Sequence, residues 1–207
     1  MPRPVPTTVT EKTLYDQDYL AFMASLLIRD AQQRHRFQSG MALLATWFAF
    51  TAAKGPDDPE TFLRHIKLQW WADTLQQGHY ADHPLLQEAP RDLLQHPHLP
   101  SILGAFRAYL DDQEMTKEGW EIHLHTTFGA MGAVIYEQEG LGLSSTFSLW
   151  GWQNHRMRGD NPPYLWGDGP QRHNGDAGVM ARAVRALGPR PKNPKRPWVL
   201  FRLWAGF

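Results

Sequence analysis

Cysteine is absent from all 207 residues, which removes disulfides, thiolate zinc sites and cysteine nucleophiles in one step. A prevailing sign of charge is missing too. With 21 basic residues against 21 acidic ones, no global field draws the chain to nucleic acid, and near-neutrality suits a component of an assembly better than a free monomer. Long apolar runs are also lacking. The longest uncharged stretch outside the tail, Phe37 to Ala53, contains Gln38, Ser39 and Gly40 and falls short of the roughly 20 residues a spanning helix needs, so it reads as a buried helix. Residues Met1 to Thr8 have no signal-peptide core and too few arginines for an amphipathic transit helix, which leaves import without a cleaved presequence open. Gly140 with Gly142 and Gly167 with Gly169 are too short for a phosphate loop, and no nucleophile elbow is present.

What the chain does have is aromatic mass: nine tryptophans and ten phenylalanines within a 42% hydrophobic composition, enough for one substantial core. Most of the first 155 residues show helical periodicity. Asp16 to Arg34 carries Leu20, Met23, Leu27 and Ala31 at spacings of three and four, which predicts a first amphipathic helix. Gly40 to Ala53 predicts a second, ended by Gly55, Pro56 and Pro59. Asp58 and Pro59 then fit the N-cap and first position of a third, which sets Phe62, Ile66 and Trp70 on one stripe widened by Leu63, Trp71 and Leu75, and closes at Gly78. Further helices are expected from Pro84 to Gln95, Ser101 to Asp112 and Glu118 to Glu139. In the last of these, Gly129, Ala130, Gly132 and Ala133 permit close approach of another helix or of a ligand, with helix packing the simpler reading. Leu141 to Arg158 holds a further helix, whereas Gly159 to Gly178 is rich in Gly, Pro, Asn and Asp.

Ile66-Lys67-Leu68-Gln69-Trp70-Trp71, with Asp73 two residues on, resembles the Trp-Trp helix of squalene/phytoene synthase-like proteins, particularly the divergent branch containing mitochondrial complex I assembly factors. Asp18-Tyr19-Leu20, Arg34 and the run Ala42 to Phe50 resemble the opening of that family. Arg107 to Met115, with Asp111, Asp112 and Glu114, resembles a later helix and its trailing acids, and Tyr136 with Leu141-Gly142 the end of the helix after that. The likeness covers about Asp16 to Gly142. Beyond it, Arg158-Gly159 with Tyr164-Leu165 is similar to a family segment but has altered spacing, with Asp160 and Trp166 at positions the family fills with arginine and proline.

The resemblance implies an all-α, isoprenoid-synthase-like helical bundle, shortened here, whose active members ionise prenyl diphosphates on magnesium. Magnesium requires carboxylates on facing helices, usually two Asp-x-x-x-Asp motifs whose spacing puts both groups on one helix face. No two aspartates in this chain are four apart. Phe50 runs instead into Thr51, Ala52, Ala53 and Lys54. Asp57-Asp58 is followed by Thr61, and Asp111-Asp112 by Met115, where a third acid is wanted. Glu114 and Glu118 are four apart but fit a solvated face. His123 and His125 are two apart and point to different sides of a helix, and His79 and His83 straddle a turn.

The expectation is therefore a pseudoenzyme with no catalytic residues, metal or cofactor. It divides into an N-terminal arm at 1–15, a helical domain at 16–158 and a basic aromatic extension at 159–207. From Ala177 onward the chain holds seven cations and no acid. Arg190, Lys192, Lys195 and Arg196, with Trp198, Phe201 and Trp204, are candidates for contact with a partner subunit or anionic lipid. Arg34, Trp70, Trp71 and Tyr136 are candidate pocket residues for a prenyl lipid. The expected role is a scaffold, structural subunit or assembly factor of a respiratory membrane complex, peripheral on the matrix side of the mitochondrial inner membrane or the cytoplasmic face of a bacterial one. A prenyl-lipid-binding protein or prenyl transferase is the alternative. A ribosome-associated protein that binds RNA through the tail is the third; DNA is not expected as a partner.

Overall fold

The computed structural model describes residues 5–52, 60–112, 115–137, 141–160 and 162–163. Within them every regular element is helical and there is no strand, so the chain is all-α. In chain order the helices are α1 (Val9–Gln17), α2 (Tyr19–Ser25), α3 (Ala31–Phe50), α4 (Glu60–Gln77), a 3₁₀ turn at Tyr80–Asp82, α5 (Pro84–Glu88), α6 (Arg91–Leu94) and α7 (Leu99–Asp111). They continue with α8 (Lys117–Leu124), a π-helical turn at His125–Gly129, α9 (Ala130–Tyr136) and α10 (Leu141–Arg158). The expected caps at Asp58 and Pro59 and the loop at Lys54 lie outside the described residues, as does Glu114.

The expected helix from Asp16 to Arg34 is instead three pieces. Asp18 stops α1 and caps α2 by accepting a hydrogen bond from the Ala21 N–H (3.0 Å), and Asp30 caps α3 through the Gln33 N–H. Each of these aspartates offers the backbone a better partner at a helix start than in a helix interior. Consequently α3 begins at Ala31 rather than Gly40 and runs 20 residues. Arg36, Phe37, Gln38 and Ser39 are buried along with the apolar run that follows.

Helix α3 is the central post. It packs on α1, α2, α4 and α5 and on α9, while α10 lies along the π turn and α9 and α4 lies on α7. Small residues set the closeness of the α9–α10 seam. A Cβ added at Gly132 would stand 2.8 Å from the Phe147 ring, and one at Gly151 would stand 2.4 Å from Phe128. The small-residue segment is thus a dry helix contact at these positions rather than a cavity lining.

One buried cation ties the far end of that seam. Arg36 donates from Nε to the Ile135 carbonyl (2.8 Å) and from NH2 to the Val134 carbonyl (2.8 Å), and it meets Asp92 and Glu137 as ion partners. It thereby satisfies carbonyls that the end of α9 leaves open.

The expected stripe on α4 is split by the fold. Leu68, Trp71 and Leu75 are buried, but Phe62, Leu63, Ile66 and Trp70 are 71, 55, 49 and 40% exposed. Gly78 ends α4 as predicted: its left-handed φ of 72° lets the His79 N–H reach the Thr74 carbonyl at 3.1 Å.

Candidate functional site

A cavity of about 230 Å³ opens where the α1–α2 corner, α3 and α10 meet. It is lined by Asp18, Met41, Leu44, Phe48, Phe128, Asn154, Arg158 and their neighbours. Asp18 supplies its carboxylate. Besides capping α2, Asp18 accepts from Trp150 Nε1 (2.8 Å) and from Asn154 Nδ2 (3.4 Å), which joins α2 to α10.

Phe48 and Phe128 form a wall shared by this cavity and a buried polar network behind it. The network begins at the end of α10. Gly159 has φ of 104°, a conformation side chains resist, and it turns the chain so that the Asp160 N–H bonds the His155 carbonyl (3.0 Å) and the Gly159 N–H bonds the Arg156 carbonyl (3.3 Å). This reversal folds Asp160 back over the last helical turn. Its Oδ2 accepts from His155 Nδ1 (2.7 Å) and from Arg158 Nε and NH2 (2.9 and 2.6 Å).

Arg158 reaches onward to α3. It donates from NH1 to the Phe48 carbonyl (3.1 Å) and to Thr51 Oγ1 (2.8 Å), with its guanidinium 4.1 Å from the Phe48 ring centre. The exposed carbonyls at the end of α3 are a favourable place for a cation. Helices α10 and α3 are latched at this end.

His155 is fully buried in a cage of Phe48, Tyr109, Trp120, His123 and Phe128. Its Nε2 lies 3.3 Å from His123 Nε2. The π turn aligns this cage, because five residues then make about one helical turn and Phe128 comes beneath His123 on one face, both touching Phe106. Burial pushes His155 down from 6.5 to about 4, against the opposing effect of the hydrogen bond it donates to Asp160. It also lowers His123 well below 6.5. Tyr109, desolvated and facing Asp160, is pushed up to about 12. Both imidazoles are therefore neutral near pH 7. Asp160 holds the proton of His155 on Nδ1, and its Nε2 then accepts from His123 Nε2–H.

A carboxylate orienting an imidazole is half of a catalytic arrangement, but the free nitrogen of His155 meets another histidine and the aromatic cage excludes substrate. Nor do the cavity residues fit magnesium and a diphosphate. Asp18 is committed to a helix cap and to Trp150, the facing α3 turn offers Phe48 and Ala49, and no metal-holding group of three His, Asp or Glu residues occurs among the described residues. The network fastens helices together.

Of the four predicted pocket residues the structure sets Trp70 and Trp71 edge to face beside His83 and engages Arg34 and Tyr136 with other elements. Arg34 donates to the Ile28 and Arg29 carbonyls at the α2–α3 turn, Trp71 is buried against Trp47 and His83, Trp70 stands on the outer face of α4, and Tyr136 packs on Phe147. Arg190, Lys192, Lys195, Arg196, Trp198, Phe201 and Trp204 lie outside the described residues, with all of the extension beyond Pro163. As their spacing implied, His123 and His125 face different sides, His123 buried and His125 exposed beside Ser144; across the turn, His83 caps α5 while His79 faces Asp82. Sequence reasoning missed the His123–His155–Asp160–Arg158 network. Its local signal was the His155, Arg158, Gly159, Asp160 cluster at a helix end; His123 gave none, being 32 residues away.

These features define an all-helical domain with a latched polar seam and an outward apolar helix face. Comparison with protein-family models, with curated proteins and with solved structures finds no match for the chain.

Proposed function

We propose that this chain is a non-catalytic, synthase-like helical scaffold that works as a structural subunit or assembly factor of a larger membrane-associated complex, with α4 as its docking face. The observation that carries the reading is the helix apolar on both sides. Helix α4 buries Leu68, Trp71 and Leu75 in its own domain and presents Phe62, Leu63, Ile66 and Trp70, one to two turns apart, on the opposite side. The flanks of α4 carry Arg64, Lys67, Gln69 and Asp73, and an exposed apolar stripe rimmed by polar residues is the surface a partner covers.

The cavity supports the same reading over prenyl transfer. Ligand pockets for drug-sized molecules run about 300–1,000 Å³. The 230 Å³ behind Asp18 falls below that range, and its polar groups are spent on helix contacts. A larger open groove of about 770 Å³ beside Leu75, Tyr80, Leu94 and Leu99 falls within it, but its walls carry no carboxylate to hold magnesium and no lysine or arginine to meet a diphosphate. A respiratory membrane complex follows from the family resemblance alone. Among the described residues no helix is long and apolar enough to cross a membrane, so in this reading protein contact through α4 holds the chain to its complex.

The test is purification of tagged protein from native membranes in mild detergent, followed by mass spectrometry, for wild type and Ile66→Asp. Stoichiometric recovery of one complex with the wild type and its loss in the variant supports the scaffold. Recovery alone, or magnesium-dependent turnover of prenyl diphosphates, overturns it.

A further inference from the structure

The outer face of α4 needs a cover before any partner arrives. Phe62, Leu63, Ile66 and Trp70 form a contiguous apolar stripe, and such a stripe left to water drives non-specific association. We propose that in the free chain its own C-terminal segment, Trp198 to Trp204, lies across this stripe and is displaced when the scaffold is assembled. The inference rests on α4 being the docking face and concerns how that face is regulated.

Composition points to this occupant. Trp198 to Trp204 is apolar at every position but Arg202, and three of its seven residues are aromatic, the composition of an anchor that fills an apolar surface.

Charge points the same way. Residues 177–207 carry seven of the 21 cations and no acid, which leaves residues 1–176 with 14 basic and 21 acidic residues, a formal charge of −7. Tail and body are complementary in sign and equal in size. Around the stripe itself stand Glu60 and Asp73 of α4 and Asp111, which His65 meets at 3.1 Å; the side chains of Glu60 and Asp111 are 66 and 71% exposed. Cations stand there as well, Arg64 paired with Glu60, Lys67 over the Phe50 ring and Arg107 against Gln69, so the complementarity is that of tail and body as a whole.

Reach and area choose the tail over a second copy. The 34 residues from 164 to 197 span at most on the order of 110 Å, well beyond the width of a domain of this size, so chain length permits the segment to reach the stripe. Four partly exposed side chains offer less than the roughly 800 Å² per partner of a stable intermolecular interface. A tethered segment, at an effective concentration of about millimolar, needs less.

The test uses the purified full-length chain at low micromolar concentration. It compares limited trypsin cleavage after Lys192, Lys195 and Arg202, and hydroxyl-radical oxidation of Trp70, in wild type, Ile66→Asp and Trp204→Asp. Both variants are expected to be cut about tenfold faster in the tail, since cleavage tracks the open population. Trp70 is expected to oxidise several-fold faster in Trp204→Asp, with oxidation of the buried Trp47 unchanged as the sign that the body stays folded.

Equal rates in all three proteins overturn the proposal. So does tail protection that rises with protein concentration, which assigns the stripe to a second copy, or protection that needs vesicles of phosphatidylcholine with phosphatidylserine, which assigns the tail to a membrane. Tail protection in the pure protein with no complex recovered from membranes would instead sink the scaffold reading and leave the tail contact standing.

Discussion

Acidification from pH 7.5 to 4.5 is expected to loosen the α3–α10 latch through His155. The groups facing this imidazole are Tyr109 of α7, Trp120 and His123 of α8, Phe128 of the π turn, Phe48 of α3, and Arg158 and Asp160 at the end of its own helix. Desolvation by this cage outweighs the Asp160 hydrogen bond and holds His155 at about 4, against 6.5 in the unfolded chain. The sign follows from which state binds the proton. The unfolded chain takes it up near pH 6.5 while the folded protein refuses it until about pH 4, so this stability is complete above 6.5 and drains away as pH falls toward 4. The gap corresponds to on the order of 3 kcal/mol, most of it lost by pH 4.5. His123 is lowered for the same reason and adds to the slope, as one coupled pair with His155. Asp160, Asp92, Glu11 and Glu88 are also lowered, but carboxylates contribute stability that is lost only as pH falls through their own range, below about 4.5.

The assay is urea unfolding at pH 7.5, 6.5, 5.5 and 4.5, followed by tryptophan fluorescence and far-UV circular dichroism, with m checked for constancy. His155→Gln keeps a donor for Asp160 without a titrating ring. It should be less stable at pH 7.5 and show a flatter profile. A wild-type stability that changes by less than about 0.5 kcal/mol over this window, or an unchanged slope in His155→Gln, refutes the reasoning.

Gly159→Ala forces a side chain into a φ of 104° and pulls Asp160 off His155 and Arg158, so unfolding should cost about 1–3 kcal/mol less, read from the urea midpoint. Gly151→Ala drives a methyl into Phe128 and should destabilise by about 1–3 kcal/mol, with Gly151→Ser no better. Asp18→Ala removes the α2 cap and the acceptor of Trp150 Nε1, for a loss of about 2–4 kcal/mol and a shifted tryptophan emission. Ile66→Asp, on the exposed side of α4, should change stability by about 0.5 kcal/mol or less while abolishing recovery of the partner complex.

Helix content was legible because the signals are local. The apolar spacing of Ile102, Leu103, Phe106 and Leu110 places α7, and Gly78 marks the end of α4. The break at Asp18 was not legible from spacing alone. Leu20, Met23 and Leu27 keep a helical period, yet Asp18 and Asp30 bond backbone N–H groups and restart the chain twice. The candidate pocket was misplaced for a related reason. Arg34 stands out in the sequence, but two residues later Arg36 faces the interior and holds the end of α9, because 200° of helix rotation separates them.

By itself the sequence determined the all-helical class, the lack of cysteine chemistry and of paired aspartates, and the opposed charge of body and tail, all of which depend on residue type and short spacing. Only the tertiary structure decided which side of α4 faces the core. A helix apolar on two sides has no preferred inward face until α3 and α7 are packed against it. The tertiary structure likewise brought His123 to His155. Burial within one aromatic cage, rather than any local pattern, makes that pair neutral and turns it into a fastener.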